Sequence, residues 1–130
     1  MKFLVAYNGS KQSLAALELA RQSATKFDAK LFVITSMEGG PDEKPDDIAR
    51  VKNALKTVRK ELDESGLEYE VDELARGLSP GEDLVEFAED NEVDHIFVGV
   101  EKRSKTRKLL LGSTAQYIIL NAPCPVTTVK

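Results

Sequence analysis

Two short stretches of this sequence carry residue types suited to holding an anionic ligand. The first is Asn8-Gly9-Ser10, which breaks an apolar run that begins at Phe3. The second reads Gly99-Val100-Glu101-Lys102, then nine residues, then Gly112-Ser113. Glycine lets backbone approach a ligand closely. Gly112-Ser113 stands where a helix is expected to begin, and the N–H groups and dipole of a helix N-terminus favour phosphate. An ordinary capped helix begins in the same way, so this pair alone points equally to a plain cap. Between the glycines runs Lys102-Arg103-Ser104-Lys105-Thr106-Arg107-Lys108, with five positive charges in seven residues. Such a run is either a solvated loop or a flap that closes over a polyphosphate. No aromatic residue interleaves with the charges to stack bases, so nucleic acid is the weaker reading.

Other chemistry is poorly provided for. The G-x-x-x-x-G-K-[ST] phosphate loop is absent. Glu101 is the only acid between Gly99 and Ser113. Without a carboxylate pair to hold a metal and activate water, efficient ATP hydrolysis is not expected. One histidine, His95, and one cysteine, Cys124, exclude a Cys/His zinc site and an intrachain disulfide. No acid–base companion is evident for His95, which reads as structural. Cys124 sits between two prolines with nothing to lower its pKa, which fits an unreactive thiol. Asp46-Asp47 suits the first turn of a helix, where negative charge meets the dipole. Glu61, Asp63 and Glu64 fit a solvated face.

The chain has 130 residues, of which 42% are hydrophobic and 31% charged. That length corresponds to one domain with a core of its own. The net charge of −4 disfavours general nucleic-acid binding. No apolar run reaches the ~18 residues of a membrane span. The N-terminus turns polar at Asn8 and shows no signal-peptide stretch. A reducing, cytoplasmic setting is the expectation.

The elements that must position the glycine stretches alternate. Phe3 to Tyr7 is apolar throughout, as in a strand covered on both faces. Leu14, Leu17, Ala20, Ala24 and Phe27 then recur near helical spacing, with Ser10 as the cap. Lys30 to Ser36 is a second strand. A polar, turn-rich segment over 38–47 is the one candidate for disorder. Ile48, Val51, Leu55, Val58 and Leu62 make one stripe of a helix that Gly66 ends. Leu67 to Leu74 alternates, as in a half-exposed edge strand. Ser79-Pro80-Gly81-Glu82 is a helix start with a capping box, and Leu84, Phe87 and Ala88 form that helix's buried face. His95 to Val100 is a fourth strand. Ser113-Thr114-Ala115-Gln116 offers a second box, and Pro123 ends the last helix. Pro125 to Val129 is a fifth strand. Strands joined by helical crossovers imply one open, mostly parallel α/β sheet with helices on both faces. Ligands of such sheets bind beyond the carboxyl ends of the strands, where the strand order reverses.

The spacing Gly99…Gly112-Ser113 resembles that of the universal stress protein family. Nucleotide-binding members of that family carry G-x-x-G-x(9)-G-[ST] between strand four and the last helix. The surroundings are similar too: VDHIFVGV before the motif, LLLGSTAQYII around it and NAPCPVTTV to the end. The resemblance covers essentially the whole chain as one domain, 1–130. It departs at the second glycine, which is Lys102 here, and at Asn8, where nucleotide-binding relatives have Asp. It implies strand order 3-2-1-4-5 in a Rossmann-like sheet of the adenine nucleotide alpha hydrolase type. It also implies ATP or AMP as ligand, with Mg²⁺ accompanying the nucleotide. The backbone of Ala6 and Thr35 would lie near adenine, with Asn8 near the nucleoside. Val98 and Gly99 would flank the ribose, and Gly112, Ser113, Thr114 and Ala115 would meet the phosphates. Lys102 would either bar the backbone approach that glycine permits or supply an ammonium to the phosphates. The expected protein is a cytoplasmic, non-enzymatic module that acts in stress response or signalling through partners. It would form a homodimer through Pro125–Val129, an edge strand that carries no charged side chain of its own. A member that has lost nucleotide binding, or a slow nucleotide hydrolase, are the alternatives.

Overall fold

In the computed structural model the described residues are 1–37, 44–101 and 111–130. Five strands and four helices alternate: β1 (Lys2–Ala6), α1 (Lys11–Phe27), β2 (Lys30–Ser36), α2 (Pro45–Ser65), β3 (Tyr69–Leu74), α3 (Pro80–Asp90), β4 (His95–Gly99), α4 (Ser113–Asn121) and β5 (Val126–Val129). The strands form one sheet in the order β3-β2-β1-β4-β5, and every neighbouring pair is parallel. The central strands are apolar without interruption because both their faces are covered. Phe3, Val5 and Tyr7 point to the layer of α1 and α2, packing with Leu17, Leu55 and Leu62. Leu4 and Ala6 point to the layer of α3 and α4, packing with Leu84, Ala88 and Ile118.

Four local expectations change. The stripe expected on α1 is displaced: Ser13, Ala16, Leu17, Ala20 and Ala24 face inward, while Leu14 is 53% and Phe27 61% exposed. Small residues let the helix lie close to the sheet, and the larger Leu14 and Phe27 sit on its flank. The polar segment expected over 38–47 is shorter than that, since α2 begins at Pro45 with Asp46 and Asp47 in its first turn. Residues 38–43 lie outside the described residues. Ser79 precedes α3 as expected, but its side chain makes no capping hydrogen bond. The residue that caps α4 is Gly112, so Ser113 is already helical and the second box does not form. The caps at Ser10, whose hydroxyl accepts from Ser13 N, and at Gly66, with φ of 77°, are as expected.

Candidate functional site

The order reverses between β1 and β4, and a cleft of about 220 Å³ opens at the carboxyl ends of these two strands. Its floor is Ala6–Asn8 after β1 and Val98–Glu101 at the end of β4. Three helices begin at its rim: α1 with Gln12 and Ser13, α3 with Pro80 and Leu84, and α4 with Ser113–Ala115. The rim is electrostatically uneven. The first turns of α1 and α4 carry no acidic residue, whereas α3 carries Glu82 and Asp83 there. Helix ends without an opposing acid are therefore those of α1 and α4, one from each layer of the sheet. The N-cap of α4 is Gly112, which has no side chain, so among the described residues no side-chain hydrogen bond caps that end. The α1 end is engaged locally: Ser13 N donates to Ser10 Oγ at 3.1 Å, and Ser10 N donates to Asn8 Oδ1 at 3.0 Å. The arrangement can hold an anion against α4 and an apolar or weakly polar group against Ala6, Pro80, Leu84 and Val98.

Ala6, Asn8, Val98, Gly99, Gly112, Ser113, Thr114 and Ala115 all border this one cleft. Thr35 does not. It is 4% exposed, and its Oγ1 donates to Tyr7 O at 2.7 Å. Ser36 borders the cleft in its place. Gly99 owes its identity to packing and not to a ligand. A Cβ there would lie 2.4 Å from the Gln12 carbonyl carbon and 2.6 Å from Ser13 N, so glycine is what lets α1 rest against β4. Lys102 and the basic run over 102–108 lie outside the described residues.

Sequence reasoning missed one group altogether. Asp83 is completely buried behind the cleft wall. Arg76 Nε donates to its Oδ1 at 2.5 Å, and Ser36 Oγ donates to its Oδ2 at 2.6 Å. A second Arg76 nitrogen donates to the Asp83 carbonyl at 3.1 Å. A polar residue ending the apolar run of β2, and an acid among the apolar residues of α3, were the available signals.

The remaining titratable candidates stand apart. His95 opens β4, at the opposite end of that strand from the cleft. Its ring packs on Phe3 and Phe97, and its Nε2 lies 2.6 Å from Thr127 Oγ1. Burial holds its pKa below the ordinary value. Burial, and then the charge of Asp94, push the Cys124 thiol upward. Among the described residues no group of three or more His, Cys, Asp or Glu could hold a metal ion. Among them, too, no helix is long and apolar enough to cross a membrane.

A parallel sheet of this order, with a cleft at its switch point rimmed by helix N-termini, defines an open, Rossmann-like α/β protein. The sequence matches the Usp family model, described as the universal stress protein family, over residues 1–130. A universal stress protein of Methanocaldococcus jannaschii is 33% identical across 99% of this chain and 81% of its own length. The structure of a universal stress protein from Archaeoglobus fulgidus superposes with a TM-score of 0.84 at 30% identity, over 100% of this chain and 93% of that one. Another from Archaeoglobus fulgidus, solved in complex with dAMP, has a TM-score of 0.78 at 27% identity, over 99% and 96% of the two chains. The chain belongs to the universal stress protein family.

Proposed function

We propose that this protein binds an adenine nucleotide in the β1–β4 cleft, with the phosphates on α4 and the base toward β2 and α3. The observation that carries this reading is the acid-free N-terminus of α4, whose N-cap Gly112 has no side chain and which borders a cleft lined also by Asn8 and Gly99. A similar chain that holds dAMP supports the choice of adenine. Gly112, Ser113, Thr114 and Ala115 contact the phosphates in this reading, and Asn8, Val98 and Gly99 the sugar. Ala6 and Ser36 border the base. Lys102, which lies outside the described residues, would supply an ammonium to the phosphates in this reading, and Mg²⁺ would accompany ATP. The bound state signals through a partner, in a homodimer joined at β5, and carries out no efficient hydrolysis. Titration calorimetry with AMP, ADP and ATP tests the reading. Saturable, one-to-one heat with any of the three supports it, and no heat with all three overturns it. Release of phosphate at an efficient rate from ATP would instead favour a hydrolase.

A further inference from the structure

The buried pair Arg76–Asp83 is more than a brace between α3 and the loop before it, because its second carboxylate oxygen reaches the wall of the cleft. Asp83 is 0% exposed, and both its side-chain oxygens are engaged, Oδ1 by Arg76 at 2.5 Å and Oδ2 by Ser36 at 2.6 Å. A serine hydroxyl has one hydrogen and two lone pairs. An ionised carboxylate accepts only, so the Ser36 hydrogen is committed to Asp83. Ser36 borders the cleft, and what its hydroxyl has left to offer a neighbour is a lone pair. The three residues come from three places in the chain: Ser36 ends β2, Arg76 follows β3 and Asp83 lies in the first turn of α3. The position is also the right one for a base. Pro80 and Leu84 border the cleft together with Ser36, and the acid-free helix end of α4 borders it through Ser113–Ala115.

We propose that Asp83, held by Arg76, fixes the Ser36 hydroxyl as a hydrogen-bond acceptor, so that this end of the cleft selects a base presenting an exocyclic amino group. This rests on the nucleotide-binding reading above and adds the group that discriminates the base. Ser36 is the residue that meets the ligand, and Asp83 and Arg76 are positioning residues. A base without the amino group leaves the Ser36 lone pair facing the ligand unpaired, and an unmade hydrogen bond in a closed site is costly.

The test compares AMP with purine riboside 5′-monophosphate, which lacks only the 6-amino group, by titration calorimetry. The wild type should bind AMP about tenfold or more tightly. Ser36→Ala should bring the two affinities close together, mostly by weakening AMP, and Ser36→Thr should restore the preference. Asp83→Asn keeps an oxygen for Arg76 and turns an amide N–H toward Ser36, which frees the hydroxyl hydrogen to point into the cleft. In that variant the preference should shrink or reverse while Ser36 is still present. Should Asp83→Asn not fold, as judged by circular dichroism, the Ser36 pair of variants decides the question. Equal wild-type affinity for the two ligands, or a preference that survives Ser36→Ala, would overturn the proposal and leave nucleotide binding intact. No binding of either ligand to the wild type would overturn both.

Discussion

In the proposed reading, phosphate binding turns on Gly112 and Ser113. Gly112 has φ of −62° and ψ of 155°, values open to any residue. A valine there is not strained by its backbone conformation and should obstruct the approach to the α4 N–H groups. Gly112→Val is expected to abolish ATP binding. Ser113→Ala should lower affinity roughly tenfold, since a hydrogen bond to a charged group contributes about 1.5–3 kcal/mol. Unchanged affinity in both variants, measured by calorimetry, would remove the phosphate from α4. Gly99 makes the opposite case. Its missing Cβ is space that the backbone of Gln12–Ser13 fills, with the nearest atom 2.4 Å away. Gly99→Ala should destabilise the fold by about 1–3 kcal/mol, because neither strand nor helix backbone can yield cheaply. An unaltered urea midpoint would refute that. The sequence marks both glycines in one motif, but their reasons differ. Spacing alone cannot separate a glycine that admits a ligand from one that admits a helix. Ser36 and Asp83 were illegible for a related reason: they are 47 residues apart in sequence, and only the crossover from β2 to α3 brings them together.

Among the elements, the strands and the long helix α2 were the most legible. Unbroken apolar runs give β1 and β2, and one clean stripe gives α2 with Val51, Leu55, Val58 and Leu62 buried. Helix α1 was less so, because its buried face is mostly Ser and Ala, with Leu17, while Leu14 and Phe27 lie outside. Periodicity weighs size, whereas close packing against a sheet rewards smallness. Between β4 and β5, His95 gives a pH-dependent contribution. Its ring lies on Phe3 and Phe97, and burial disfavours the charged form, so its folded pKa is below the ordinary 6.5. The unfolded chain then takes up the proton first as pH falls. The stability contributed by neutral His95 is complete above about pH 6.5 and is lost as pH drops toward the folded value. His95→Gln keeps a hydrogen-bonding tip near Thr127 but does not titrate. Between about pH 7 and pH 5, the fall in Tm should be shallower in this variant than in the wild type. Equal slopes would show that His95 does not carry the effect.

At the scale of the whole molecule, the sheet has two edges, β3 and β5. Pro125 O and Val129 O accept from Ile96 N and Val100 N of the β4 side. By the alternation of a strand, Val126 and Thr128 turn their N–H groups outward, off the free edge of β5. A second copy meeting this edge antiparallel about a two-fold axis would pair them. Val126→Pro or Thr128→Pro should then give a monomer by light scattering with the β4–β5 ladder kept, since proline removes an outward donor only. A monomeric wild type at micromolar concentration, or dimers in both variants, would contradict pairing at β5. The central claim concerns the other end of the sheet, where β1 and β4 part and α1, α3 and α4 begin. Amide chemical-shift mapping during titration with AMP tests it most directly. The account predicts saturable shifts concentrated at Ser113, Thr114 and Ala115 for the phosphate, at Asn8 and Gly99 for the sugar, and at Ser36 for the base. Shifts absent at saturating AMP, or confined to the groove between α1 and α2 that Leu14, Leu17 and Leu62 border, would contradict it.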